Sequence, residues 1–165
     1  MIHFKFSLPQ FYLIIILASS FIAYCIYAQN LPQDYLIAHN EARKAVNVGN
    51  LTWNNTLAMH ALNYSNQRVG DCNALHSGGP YGENIVSDVG DLTAADAVNK
   101  WLDQKGYYDY NSNNCTSGHI CNEYVQVVWR NTTNFGCAKV KCTTGGTLVT
   151  CNYDPPGNIA GQKPY

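Results

Sequence analysis

Charge is scarce in this chain. Only 13% of its 165 residues are Asp, Glu, Lys or Arg, with 10 basic residues against 11 acidic ones. No basic patch stands ready for nucleic acid or an anionic membrane surface, which argues against a partner held by electrostatics. No internal repeat, low-complexity tract or interdomain linker appears, which leaves one domain. No pair of C-x-x-C knuckles is present, which argues against zinc held by cysteine. Beyond Ala28 no long apolar run remains, and no basic stop-transfer cluster follows the one at the start.

That first run has its own meaning. Lys5 is the only charge before Asp34, and Phe11 to Ile22 is almost wholly apolar. A basic start, an apolar stretch and small residues near Ala28 make residues 1–28 a secretory signal. Removing it also removes Cys25, leaving Cys72, Cys115, Cys121, Cys137, Cys142 and Cys151. An even number of cysteines in a secreted chain implies a framework of three disulfides, and spacing alone leaves fifteen pairings open. Sequons at Asn50, Asn54, Asn63 and Asn131 are candidate glycosylation sites in the same compartment. A fifth, at Asn114, has Cys115 in its middle and is the weakest. Without Lys5, the remaining chain has nine basic and eleven acidic residues, a formal charge of about −2.

Periodicity predicts three helices and then strands. Asp34 is placed to cap a helix beginning at Tyr35, and Gly49 to stop it. A second helix is expected over 54–68, with Leu57, Ala58, Ala61, Leu62 and Tyr64 on a broad apolar face. A third starts at Thr93, since Ala94, Ala97, Val98 and Trp101 fall at i, i+3, i+4 and i+7; Gly106 ends it. The alternation in 136–142, the turn at 144–147 and the run 148–153 predict a hairpin carrying three cysteines. Helices first and strands later make an α+β layered domain.

Several segments together resemble a known family. Cys121-Asn-Glu-Tyr-Val-Gln-Val-Val-Trp129, His76-Ser-Gly-Gly-Pro-Tyr-Gly-Glu83-Asn-Ile, Ala97-Val-Asn-Lys-Trp101 and Leu148-Val-Thr-Cys-Asn-Tyr153 are similar to the motifs of the CAP superfamily. The closing Pro155-to-Tyr165 stretch is similar to its plant pathogenesis-related 1 branch. The resemblance spans 29–165. It implies a three-layer α-β-α sandwich with a small antiparallel sheet and the pairings Cys72–Cys142, Cys115–Cys121 and Cys137–Cys151.

It also implies a cleft of two His and two Glu, able in some relatives to bind zinc. The matching positions here are His76, Glu83, Gln104 and Glu123, so two of the four differ. Gln104 has lost a charge and Glu123 has replaced an imidazole. A family-type zinc site is therefore not expected, and no cofactor is; a weaker, harder cation at His76, Glu83 and Glu123 is the alternative. The Glu123 carboxyl is expected to sit near that of Glu83, where repulsion would favour a held proton. His119, four residues earlier, approaches the cleft only if helical geometry extends to it.

No catalytic residue is assigned. Ser77 beside His76 lacks a demonstrated third partner, and every cysteine of 29–165 is expected in a bridge. Tyr107, Tyr108 and Tyr110 form an aromatic loop that in the resemblance contacts sterols or other lipids of microbial membranes. Cys151-Asn-Tyr-Asp154 followed by Pro155 resembles the junction at which a processing protease releases a defence-signalling peptide, 155–165. The expectation is a monomeric, secreted defence protein of the apoplast or vacuole, acting by binding. A peptide precursor and a cleft hydrolase are the alternatives.

Overall fold

Pro32 sets the first turn of α1 (Pro32–Lys44) in a computed structural model that describes residues 30–165. The expected signal, 1–28, lies outside the described residues. Proline suits this position because its fixed φ is already helical and its missing N–H is not needed there. Asp34 is not the cap: it lies one turn in, and its Oδ2 accepts from Leu31 N at 2.8 Å. An acid there favours the positive end of the helix dipole. Gly49 does not stop the helix either. The turns end at Lys44, and Asn47 reverses the chain two residues before the glycine. Asn47 has φ 57°. That left-handed conformation is one that Asn tolerates.

The next two helices start where their side chains allow. Asn54 Oδ1 accepts from Thr56 N and Leu57 N, opening α2 (Asn55–Gln67). Thr93 and Asp96 exchange side-chain to backbone bonds, both 3.1 Å. This reciprocal cap heads α3 (Ala94–Leu102). Ala94, Ala97, Val98 and Trp101 are each at most 1% exposed, as their spacing predicts. The helix tightens into a 3₁₀ turn, Asp103–Tyr107, running past Gly106.

The sheet has strand order β1 (Thr52–Trp53), β5 (Asn134–Lys141), β6 (Thr147–Asp154), β2 (Gly82–Asp88). Strands β5 and β6 form the expected hairpin, and β2 adds an antiparallel edge unseen in the periodicity. The other edge, β1, pairs with β5 in parallel, so the sheet is mixed rather than wholly antiparallel. Helix α2 packs on β5 and β6 on one face; α1, α3 and a short α4 (Asn122–Val127) form the other layer. Seven of the eight residues of β6 are buried. Helices cover both its faces, which is why neither side of the strand is left to solvent. Gly136 is required on β5, where a Cβ would lie 2.9 Å from Ala58 Cα of α2. A two-residue pair of strands, β3 (Tyr108–Asp109) and β4 (Asn114–Cys115), stands apart as a small hairpin.

Three disulfides join Cys72–Cys142, Cys115–Cys121 and Cys137–Cys151. Cys137 and Cys151 are direct register partners on β5 and β6, so their bridge adds a covalent link to an existing pairing. Cys115–Cys121 closes the loop between the small hairpin and α4. Beneath all of this, Arg43 is 1% exposed and its guanidinium is taken up by backbone. It donates to four carbonyls: Gly49 at 2.6 Å, Val127 at 3.0 Å, Trp129 at 2.9 Å and Thr132 at 3.0 Å. A cation at the end of α4 satisfies carbonyls that the helix leaves open. Burial draws the Arg43 pKa down to about 10.

Candidate binding cleft and tail dock

Helix α4 carries residues into two places at once. Glu123 enters a polar cleft; Tyr124 and Gln126 hold the C-terminal tail. Asn84 Nδ2, on β2, donates to Glu123 O at 2.9 Å and so ties this turn to the sheet.

In the cleft, Glu83 is a hub. Its Oε1 accepts from Ser77 N at 2.7 Å and faces His76 Nδ1 at 3.1 Å, while Oε2 accepts from Asn152 Nδ2 at 3.3 Å. Register explains the last contact, since Glu83 and Asn152 are paired residues of β2 and β6. Asn152 Oδ1 meets His60 Nδ1 at 3.0 Å, so α2 joins the network through a histidine that sequence reasoning missed. The available signal was a polar Asn within the apolar strand Leu148-to-Tyr153.

Gln104 and Glu123 form a second, reciprocal pair. Gln104 Nε2 donates to Glu123 Oε2, and Glu123 N donates to Gln104 Oε1 at 3.2 Å. The two positions that depart from the resemblance thus satisfy each other. Burial pushes the Glu123 carboxyl pKa up; the Gln104 hydrogen bond and the charge of His76 oppose it. Desolvation, not repulsion from Glu83, is the main cause. His119 does not reach the cleft: α4 begins only at Asn122, and the His119 ring stacks on Tyr107 with centroids 4.0 Å apart.

The cleft does not suit zinc. Its two imidazoles are spoken for, His76 Nδ1 by Glu83 and His60 Nδ1 by Asn152, and the Glu123 carboxyl is engaged by Gln104. Among the described residues no group of three or more His, Cys, Asp or Glu could hold a metal ion. Nor is there a nucleophile–base pair of the kind that acyl transfer needs. Ser77 Oγ accepts from Gly79 N at 3.2 Å, and among the described residues no hydrogen bond joins it to His76.

The tail is held closely. Gln126, 1% exposed, accepts from Gly157 N at 2.8 Å and donates to Thr132 Oγ1 at 3.2 Å; Thr132 Oγ1 donates in turn to Pro155 O at 2.8 Å. Gly157 is needed there, because a Cβ would lie 2.8 Å from Trp129 Cγ. Arg130 N donates to Pro164 O at 2.7 Å, and Pro164 is buried. Tyr165 then meets the aromatic loop. Its ring stacks on Tyr110 at 5.0 Å, its carbonyl accepts from Tyr110 Oη at 2.6 Å, and its hydroxyl lies 3.2 Å from that of Tyr124. Lys163 Nζ caps the Tyr110 ring at 4.2 Å, a cation held over an aromatic face. Tyr107 and Tyr110 remain 40% exposed, whereas Tyr108 is half-buried. Sequence reasoning named the loop and the tail separately; in the fold they are one surface.

Of the sequon asparagines, Asn50, Asn63 and Asn131 are exposed, and Asn54 is the half-buried cap of α2. Asp154 and Pro155 are exposed at the end of β6.

This sandwich, with its cleft over the sheet and its three bridges, places the molecule in a defined class. The chain belongs to the cysteine-rich secretory protein (CAP) family, whose model matches residues 36–153. The basic form of pathogenesis-related protein 1 from Nicotiana tabacum is 56% identical over 84% of this chain and 77% of its own length. Pathogenesis-related protein 1B of the same plant is 53% identical over 98% of both chains. Among solved structures, the Schistosoma mansoni venom allergen-like protein 4 superposes with TM-score 0.66 at 26% identity, covering 81% of this chain and 92% of that one. NaASP2, whose crystal structure was solved with Zn2+, shares the fold at TM-score 0.63 and 20% identity, over 84% and 87% of the two chains.

Proposed function

We propose that the protein is a secreted plant defence protein that acts by binding, with a sterol or another lipid of microbial membranes as its ligand. Kinship with plant pathogenesis-related proteins supports the defence role. Among the described residues no helix is long and apolar enough to cross a membrane. The observation that carries the binding reading is the exposure of two aromatic rings, Tyr107 and Tyr110, together with Ile120, itself 67% exposed. Flat aromatic rings suit a rigid apolar ligand bearing one polar end. The cleft supports binding over hydrolysis, since its carboxyls and imidazoles are engaged with one another and Ser77 is turned to Gly79. Titration with a fluorescent sterol tests this. Tyr107→Ala/Tyr110→Ala is expected to bind at least about tenfold more weakly, a loss of about 1.4 kcal/mol; equal affinities reject the loop.

A second reading is favoured by the exposed Asp154–Pro155 junction: cleavage there would yield the peptide 155–165. The hydrogen bonds from Gln126, Thr132, Arg130 and Tyr110 would keep the cut peptide seated until something displaces it. Mass spectrometry of fluid from challenged tissue checks this reading, and finding no fragment that begins at Pro155 counts against it.

A further inference from the structure

Between the small β3–β4 hairpin, α4 and the tail runs a groove of about 390 Å³. That volume lies within the range of small-molecule sites. Thirteen residues line it, and none of them bears an ionisable acid or base apart from the Tyr108 phenol, since its two cysteines are bridged to each other. Five of the thirteen are carboxamides: Asn113, Asn114, Asn122, Asn158 and Gln162. The cleft that Glu123 enters is the reverse, a cluster of carboxyls and imidazoles.

The chemistry of the lining narrows the ligand. An anion would require fixed cations and a metal ion would require carboxylates; the groove has neither. A wholly apolar ligand would strip water from the carboxamides without replacing their hydrogen bonds, at a cost of about 1–3 kcal/mol each. A carboxamide presents a donor and an acceptor side by side, matching the neighbouring hydroxyls of a sugar ring. The half-buried Tyr108 ring offers an apolar face for the C–H side of such a ring.

The groove is also shaped in advance. Asn113 is fixed between Tyr108 Oη at 2.8 Å and Gln162 O at 3.0 Å, and Asn158 Nδ2 donates to Asn122 O at 3.0 Å. The bonds to Gln162 O and Asn122 O stitch the tail to the hairpin and to α4, and so set the groove's width. Asn113, Asn158 and Gly161 hold left-handed conformations at φ 54°, 57° and 78°. Asn114 Nδ2 is bonded to Ser112 O, whereas among the described residues Asn114 Oδ1, Asn158 Oδ1, Asn122 Nδ2 and the Gln162 carboxamide have no intramolecular hydrogen-bond partner. We propose that this groove binds a neutral oligosaccharide, with Asn114, Asn122, Asn158 and Gln162 as its hydrogen-bonding set and Tyr108 as its apolar face. The tail supplies one wall, so release of 155–165 would abolish the site.

Calorimetry on the disulfide-bonded protein tests the proposal, using chitohexaose and laminarihexaose as neutral probes and an oligogalacturonate as the charged comparator. Saturable binding of one neutral probe is expected, with no binding of the oligogalacturonate. The near-isosteric pair Asn114→Asp/Asn122→Asp should weaken it at least about tenfold, with the thermal unfolding curve shifted by no more than the loss of the exposed Asn114–Ser112 bond allows. Gln162→Ala, at an exposed tail position, should weaken it as well and covers the case in which the double variant does not fold. Sterol affinity should be unaltered in these variants, which separates this site from Tyr107 and Tyr110. No heat with either neutral probe at millimolar concentration, preference for the oligogalacturonate, or equal affinity in both variants would overturn it.

Discussion

The cleft and the tail dock share α4 but are built from different kinds of contact. Cleft contacts run mostly from side chain to side chain: His76 to Glu83, Asn152 to Glu83, Gln104 to Glu123. The dock uses backbone groups of the tail, namely Gly157 N and the carbonyls of Pro155, Gln162, Pro164 and Tyr165. A side-chain pair can be exchanged by two matched substitutions. Gln104 with Glu123 is such a pair, a carboxamide donor facing a carboxyl acceptor. A side chain that serves a fixed backbone group has fewer substitutes, because the backbone cannot change in step. The cleft should therefore tolerate substitution that the dock does not.

The largest expected effect comes from the residue that holds the dock's base. Arg43→Met removes donors from four carbonyls, of Gly49, Val127, Trp129 and Thr132, inside a dry site. Loss of about 3–5 kcal/mol is expected, since several buried carbonyls are left without a donor at about 1–3 kcal/mol each, partly offset by no longer burying a cation. Urea unfolding of the two proteins measures it. A loss below about 1 kcal/mol would mean that the segment after α4 stands without this support.

Acid should act next on the core where α1 packs on β6. His39 is wholly buried, with Nδ1 2.8 Å from Tyr35 O and Nε2 2.9 Å from Tyr153 Oη. Burial lowers its pKa to about 4. The folded imidazole thus stays neutral where the unfolded one takes a proton, so stability falls as pH drops from about 6.5 to about 4. The total is about 3 kcal/mol. Asp88, Asp91, Asp96 and Asp109, all with lowered pKa, weaken the fold only under more acid conditions. Unfolding midpoints at pH 7 and pH 4.5 should differ in this protein and much less in His39→Gln; parallel profiles would remove His39 as the cause.

How much of this was legible depended on the range of the contact. The apolar face of α3 was fully readable from Ala94 to Trp101, because a helical period is a local property. The hairpin of β5 and β6 was readable for the same reason. The parallel pairing of Thr52 with Asn134 was not, since a two-residue strand has no period and its partner lies far along the chain. The residue types of the cleft were legible, but not that Gln104 and Glu123 pair, nor that His60 reaches Glu83 through Asn152. The second of these depends on the register of β2 against β6. The tail's destination was likewise invisible, because Pro155-to-Tyr165 has no periodicity and is placed by single hydrogen bonds.

Within the dock, Gln126→Ala leaves Gly157 N without its partner in a closely packed place. The expected cost is about 2 kcal/mol, the penalty of one unsatisfied buried donor. The loss should be local. Hydrogen exchange at Gly157 should quicken and cleavage after Asp154 should become easier, while amides of α2 keep their protection. Uniform loss of protection across the chain would show that Gln126 supports the whole sandwich rather than the tail.

The smallest effect is expected in the cleft, and it bears most directly on the contrast with the dock. The Glu123 carboxyl has a raised pKa because burial disfavours its charge. A folded pKa above the unfolded one means that ionised Glu123 destabilises the fold at neutral pH, and that this penalty is relieved as pH falls. Glu123→Gln removes the charge and the penalty but keeps an acceptor for Gln104 Nε2, leaving a net change below about 1 kcal/mol. The pH dependence due to this position should disappear, and exchange at Gly157 should stay as it was. A loss above about 2 kcal/mol, or a faster Gly157 amide, would show that cleft and dock respond together through α4, and the contrast between replaceable pairs and fixed backbone contacts would fail.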